Sequence, residues 1–488
     1  MAEAPQSAEN ETSCYVSIAI QNDGTRKEQK VLRVPRKLIE GIEEVSQLAK
    51  TETNCHVSVA IQKNRTSKEQ KLPTLPSDLP WTMPARKILR VPHQLLKVNE
   101  KAYEPYVISI GPYHRGKDHL KEMERHKVQS LNRLLQSTNE RVETYLSAID
   151  KMVAKVRNCY SEPLEISDEE FVEMMVLDGC FIIQFFMEKL EDSFYYEGLI
   201  GTSILHDLVL VENQLPFFVL CELLDIIPKM LFNMWGSTDP KHGFIRRLIE
   251  RFENLMPGLK VDRTCNDNSI EVKHLVHLLH SNWRPSKKAM DKYNEQREKW
   301  TWEFMIRCAT ELKGAGIEFK GVETGSDVER SLFDIKFQNG ILEMPKVTIE
   351  DDTESLYRNL IACEQFDTSD PPFLTEYVAL MDSLIDSGKD VELLCKSKII
   401  VNLLGDDETV AVLFNRLGHH TNLSSENFLY AQLFRDVNEH YKKPWNKWKA
   451  VLRHKYFNTP WAFISFLAAT LLLLLTVLQT SFTIFPPS

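Results

Sequence analysis

The carboxy-terminal end constrains this chain most. From Tyr456 to Ser488 no residue carries a charge, and WAFISFLAATLLLLLTVLQTSFTIF supplies the run of about 20 apolar positions needed to cross roughly 30 Å of hydrocarbon. A core helix usually keeps a polar stripe, whereas Leu471 to Leu475 is apolar all round, so the stretch predicts a transmembrane helix over residues 461–484. The preceding residues, 441–460, form a basic aromatic juxtamembrane segment. Lys442, Lys443, Lys447, Lys449, Arg453 and Lys455 suit anionic lipid headgroups, while Trp445, Trp448 and Trp461 suit the membrane–water interface. Charge flanks the apolar run on its amino-terminal side alone. The positive-inside rule therefore predicts a single-pass, tail-anchored topology with the bulk of the chain cytosolic and membrane lipids as its first partner. MAEAPQSAENET lacks the basic and apolar regions of a secretory leader, and the sequons at Asn10, Asn64 and Asn422 would go unused in this topology.

Composition excludes several classes. With 59 basic and 69 acidic residues the formal charge is −10, which disfavours a general phosphate-binding surface; no nucleic-acid partner is expected. Nine cysteines, an odd number with no C-x-x-C pair, resemble neither a disulfide framework nor a zinc cage. Cys180, Cys221 and Cys363 sit in apolar runs, the setting of buried, inert thiols.

Residues 1–85 read as a variable arm with an internal duplication. ETSCYVSIAIQNDGTRKEQK at Glu11 returns as ETNCHVSVAIQKNRTSKEQK at Glu52, and KVLRVPRKL at Lys30 is echoed by KILRVPHQL at Lys87. VSIAI and VSVAI are short strands by alternation, and LPTLPSDLPWTMP is a proline-rich linker. Residues 86–440 read as one large helical domain. YVISIGPYHRG predicts a short strand ending at Gly111, followed by a charged helix through LKEMERHKVQSLNRLLQ. Two long apolar segments follow, interrupted by Asp178, Asp207, Glu212 and Asn213, and Pro216 must kink or restart the second. Asn339-Gly340 between alternating runs predicts a β-hairpin. The stretch TEYVALMDSLIDSGKDVELLCKSKIIVNLLGDDETVAVLFNRL reads as helix, with Gly405 at a helix end and Asp406 capping the next. The fold class is thus mainly α-helical with minor β elements: a single large helical domain plus a C-terminal transmembrane helix.

Three constellations could carry chemistry. Asp178, Glu212 and Glu364 are carboxylates in apolar runs, the setting that raises a pKa for acid or base work; the alternative is a hydrogen-bonded network with Asn213, Gln214 and Gln365 that fixes helix packing. HLVHLLH spaces His274, His277 and His280 by threes, spreading the imidazoles over about 120° of helix surface with no acidic ligand inside, which favours a surface or groove-lining helix over a metal site. GPYHRGKDH offers Tyr113, His114, Arg115, Lys117 and His119 around two glycines, able to hold an anion or simply to turn the chain; it lacks phosphate-loop spacing. No G-x-S-x-G elbow occurs, and no cofactor is expected.

Several strings together resemble the plant domain of unknown function 247 family, also filed as uncharacterised protein family 0481. They are RVPHQLLKVNEKAYEPYVISIGPYHRG from Arg90, MMVLDGCFIIQFF from Met174, DLVLVENQLPFFVL from Asp207, DIKFQNGILEMP from Asp334, RNLIACEQF from Arg358, and YFNTPWAFIS before the apolar tail. The six blocks stand in the family's order, and the duplicated arm lies outside the usual pattern. The resemblance implies a mainly helical land-plant protein with one carboxy-terminal membrane segment and no established enzymatic activity. Members at grass self-incompatibility loci are regarded as pollen-side determinants, which implies recognition as a family theme. The expectation is a membrane-anchored interaction or recognition module with an unidentified protein partner. The alternative is a membrane-associated hydrolase using Asp178 or Glu212 with a histidine.

Overall fold

The computed structural model describes residues 14–21, 27–34, 56–62, 87–187, 198–228, 239–259 apart from Asn254 and Pro257, 272–295, 305–323, 330–366, 371–421, 423, 428–443 and 460–484. The chain forms two compact units, Met1–Trp81 and Thr82–Ser488.

In the first unit β1 (Cys14–Gln21) pairs antiparallel with both β2 (Lys27–Val34) and β3 (His56–Gln62), in the order β2-β1-β3. VSIAI and VSVAI, the two copies of the duplicated string, lie in β1 and β3 and pair with each other. The register sets Val16 opposite Ile61, Ile18 opposite Val59 and Ile20 opposite Val57. An antiparallel pair of near-identical strands centred on equivalent residues matches apolar with apolar positions by symmetry, so duplication alone yields a consistent register.

The second unit is a helical body. Its first part contains α1 (Lys121–Thr138), α2 (Val142–Asp150), α3 (Asp168–Met187), α4 (Leu199–Leu208), α5 (Phe217–Ile226) and α6 (Pro240–Phe252). α3 packs against α1, α2, α5 and α6. Phe171, Met174, Met175, Cys180, Phe181 and Ile183 are all fully buried, a distribution too wide for one face, so α3 is a central helix and not an amphipathic one. Pro216 restarts the chain as helix by standing immediately before α5, where its missing N–H removes no helical bond.

The second part begins with α7 (Leu275–Asn282), followed by β4 (Glu318–Val322), β5 (Lys336–Gln338), β6 (Ile341–Pro345) and β7 (Val347–Ile349). Next come α8 (Thr353–Phe366), α9 (Phe373–Leu384), α10 (Gly388–Lys396), β8 (Ile400–Asn402), α11 (Asp407–Leu417) and α12 (Ala431–Lys442). The hairpin forms where Asn339-Gly340 predicts it. Both residues have positive φ, 53° and 80°, as a two-residue turn between antiparallel β5 and β6 requires. β4 completes that sheet by pairing parallel with β6. Asp406 caps α11 by accepting from Thr409 N at 2.9 Å.

One helical reading is corrected here. Ile400–Asn402, inside the stretch read as helix, is a strand that pairs parallel with β7. α10 ends at Lys396, Lys398 adopts φ 59°, and Ile399 and Ile400 turn into the core. Gly405, at φ 84°, therefore follows a strand instead of a helix.

α13 (Pro460–Ile484) is long and apolar enough to cross a membrane: its window Ile464–Ser481 has mean hydropathy 1.9, and none of it is buried against the body. Lys442 closes α12 and Lys443 follows it, while Trp461 stands in the first turn of α13. Trp445, Lys447, Trp448, Lys449, Arg453 and Lys455 lie outside the described residues.

Candidate functional site

The segment YVISIG, residues 106–111, alternates like a strand, and the structure corrects that reading. Ile108 to Gly111 are buried, yet among the described residues no strand pairs with them. Buried amides need acceptors, and here side chains provide them. Asp207, in the last turn of α4, takes three successive N–H groups: Tyr106 N donates to Oδ1 at 2.7 Å, and Val107 N and Ile108 N donate to Oδ2 at 2.8 Å each. Ile110 N donates to Asn213 Oδ1 (2.6 Å), and Gly111 N to Asp178 Oδ2 (2.8 Å). In return Asn213 Nδ2 donates to Ile108 O (3.0 Å), and Lys127 Nζ to Ser109 O (2.5 Å). Gly111 ends the segment at φ 72°, where a Cβ would stand 2.7 Å from Gln214 O. Only glycine fits there.

The loop Val209 to Leu215 between α4 and α5 is itself buried. Its consecutive polar residues reach in three directions. Glu212 accepts from Val91 N (2.6 Å) and from Arg90 Nη1 (3.0 Å). Asn213 holds Ile108 and Ile110. Gln214 Nε2 donates to Leu208 O and Leu210 O, and its Oε1 accepts from Val276 N on α7. A cavity of about 10 Å³, room for one water, lies beside Ile110, Asn213 and Gln214.

The three carboxylates singled out by sequence each serve their own partners. Asp178 faces Lys127 Nζ at 2.6 Å, and both side chains are about 1% exposed. Burial pushes the Asp178 carboxyl upward, and the Lys127 ammonium and Gly111 amide oppose it. Glu364 caps α9 from the neighbouring helix: Leu374 N and Thr375 N donate to its two oxygens at 2.9 and 2.8 Å, Thr375 Oγ1 adds a third bond at 2.6 Å, and His280 Nε2 lies 2.7 Å away. The three carboxylates meet Lys127, Arg90, His280 and backbone amides, while Asn213 and Gln214 hold backbone groups of their own.

The histidine helix is also corrected. α7 is buried along its whole length, neither a surface nor a groove. His274 is its N-cap, accepting from His277 N through Nδ1 at 3.2 Å, so only His277 and His280 are helical. His277 Nδ1 accepts from Lys273 N (3.2 Å) and His280 meets Glu364. The three rings face separate tasks, and among the described residues no group of three His, Cys, Asp or Glu could hold a metal ion.

The GPYHRGKDH turn is pinned by its neighbours. Tyr113 OH donates to Ile88 O (3.0 Å), the Arg90 guanidinium lies 4.2 Å from the Tyr113 ring centre, and Lys117 pairs with Glu104 at 3.2 Å. His114 Nε2 sits 3.7 Å from Glu212 Oε2. Burial, then the charges of Lys117 and Arg90, lower its pKa to about 3, so the ring is neutral at ordinary pH and a poor proton acceptor.

Sequence reasoning missed two buried groups of consequence. Lys127 stands on the apolar face of α1 with Met123, Leu131 and Leu134, a visible signal of a buried cation. Glu376, on α9, accepts from Leu429 N at 2.7 Å; burial, with the nearby Glu364 charge, raises its pKa to about 8. Nothing in its local sequence marked it.

The profile of the DUF247 family, described as plant protein of unknown function, matches residues 88–475. UPF0481 protein At3g47200 of Arabidopsis thaliana is 29% identical over 419 residues, covering 81% of this chain and 85% of its own. Putative UPF0481 protein At3g02645 of the same plant is 26% identical over 476 residues, covering 80% of this chain and 89% of its own. No solved structure matches the chain.

Two predictions follow from the buried network. Asp207→Ala leaves three amides without an acceptor and should cost at least about 3 kcal/mol in equilibrium denaturation of the full chain in micelles; a loss under about 1 kcal/mol would show that the segment is held by something else. For Glu376, the folded chain binds a proton more tightly than the unfolded chain, whose glutamate titrates near 4.5. Its contribution is fully present below that pH and is lost as pH rises to about 8. Glu376→Gln should therefore flatten the fall of stability between pH 5 and 8 by a few kcal/mol, read as the pH dependence of the denaturation midpoint.

Proposed function

We propose that this chain, which belongs to the DUF247 family of plant proteins of unknown function, is a membrane-tethered protein-interaction module. The observation that carries this reading is α13: an 18-residue window of mean hydropathy 1.9 with none of its surface covered by the body. Such a helix is stable when hydrocarbon replaces water around it. The basic and aromatic residues from Lys442 to Lys455 support a cytosolic placement of the body, with anionic lipid at the neck. Tethering confines the body to two dimensions and raises its effective concentration for weak partners. The polar groups in the body's interior support the same reading, since Asp178, Glu212 and Glu364 are spent on holding backbone and on ion pairs. Their burial favours architecture over turnover.

Deletion of Trp461–Ser488 should move the protein from the membrane pellet to the soluble fraction. Continued sedimentation with membranes, with far-ultraviolet circular dichroism showing a folded body, would place the tether elsewhere. For topology, glycosidase treatment of the full chain expressed in plant cells should leave its gel mobility unchanged; a downward shift would put Asn10, Asn64 or Asn422 on the luminal side.

A further inference from the structure

A second buried polar chain lies behind residues 106–111. His206, next to Asp207 on α4, is 2% exposed and places Nδ1 2.9 Å from Asp207 Oδ1 and Nε2 2.8 Å from Ser355 Oγ on α8. Ser355 Oγ in turn lies 2.7 Å from Ala102 O, in the turn Glu100–Tyr103. Ala102 O also accepts from Asn359 Nδ2 at 2.8 Å. The Tyr106 ring covers the imidazole face to face, centroids 3.8 Å apart and planes within 2°, while remaining 48% exposed on its outer side.

Hydrogen counting gives this chain two complete arrangements. Ser355 has one hydroxyl hydrogen. If His206 carries two ring protons, it donates to Asp207 and to Ser355, and the serine must direct its hydrogen to Ala102 O. If His206 is neutral with its proton on Nδ1, Nε2 accepts from Ser355, and Ala102 O keeps only Asn359. A proton on His206 thus adds one hydrogen bond between α8 and the turn, together with an ion pair to the residue that holds the amides of Tyr106, Val107 and Ile108.

We infer that His206, Ser355 and Ala102 form a proton-operated latch, which fastens residues 100–108 to α8 when the imidazole is charged and slackens them when it is neutral. Histidine as a class is the side chain whose charge changes between about pH 5 and 8, and this sets the two pH values at which the latch is tested. The groups facing the imidazole are Asp207 on its own helix, Ser355 from α8 and Tyr106 from the segment. Beyond the ring, Asp351 and Asp352 act on Tyr106, whose hydroxyl lies 3.4 Å from Asp352 Oδ1, and the Glu354–Arg358 pair faces Tyr103. The nearest charged group is the Asp207 carboxylate. Because Tyr106 is half-exposed, slackening the segment alters the surface it presents. The latch does not depend on the tether.

The test is hydrogen–deuterium exchange of the full chain in micelles, read at the amides of residues 103–108 at pH 5.5 and pH 8 after correction for intrinsic rates. Protection in the parent protein should be about threefold to tenfold greater at pH 5.5, the size of one hydrogen bond. His206→Gln, which cannot be charged, should lose that difference, and Ser355→Ala should be weakly protected at both pH values. Circular dichroism establishes that each variant is folded; Ser355→Ala, the mildest change, keeps the test open should His206→Gln not fold. A flat profile in the parent, or an undiminished pH difference in either folded variant, overturns the latch.

Discussion

The body depends on the obligation of buried backbone to find hydrogen-bond partners where no strand is available. The segment from Tyr106 to Gly111 enters the interior at Ile108 with no strand beside it among the described residues, and an unpaired buried amide costs about 1–3 kcal/mol. Asp207, Asn213, Asp178 and Lys127 stand in for a neighbouring strand. Because they come from α4, the loop before α5, α3 and α1, residues 106–111 join four parts of the body at once. Glu212 and Gln214 extend the scheme to Val91 and to α7, so three adjacent residues fix three separate segments.

Such a solution concentrates charge inside. Lys127 and Asp178 form an ion pair with almost no exposure, and Glu364 carries His280 and the amide end of α9. Buried pairs of this kind add little net stability compared with a well-packed apolar core, yet losing one partner strands the other at a cost of about 3–5 kcal/mol. Their value is specification. A helix that slipped by one residue would leave a charge and several amides unmatched, so the network excludes alternative packings that hydrophobic contact alone would tolerate. Glu376 departs from the rule: burial raises its pKa to about 8, and among the described residues it has a backbone donor but no ion-pair partner.

The parts of this fold legible in sequence are those governed by local physics. An uncharged run makes α13 visible, two residues that tolerate positive φ make the Asn339-Gly340 hairpin visible, and Asp406 and Pro216 announce helix starts. What stayed hidden was set by partners distant in the chain. Alternation in YVISIG suggests a strand but not that Asp207, about a hundred residues on, takes its amides in place of a ladder. Ile400–Asn402 is a strand because Val347–Ile349 lies alongside, information no window around it contains. The spacing in HLVHLLH suggested a surface or groove-lining helix, and the packing around α7 buries it instead. Lys127 was legible in principle, as a cation in register with Met123 and Leu131.

The carboxy-terminal helix inverts the arrangement of the body. Inside the body, Asp207, Asn213 and Gln214 sit among apolar side chains and meet protein partners; along α13, Leu472, Leu473 and Val477 are each more than 60% exposed. Its backbone is self-sufficient, and Thr470, Thr476 and Thr480 return their hydroxyls to the carbonyls of Phe466, Leu472 and Thr476. A helix that satisfies its polar groups internally and leaves its apolar side chains outward is suited to hydrocarbon, where water cannot complete an unmet bond. The same obligation that recruits Asp207 to a buried amide in the body therefore shapes α13, whose backbone and threonine hydroxyls are satisfied within the helix.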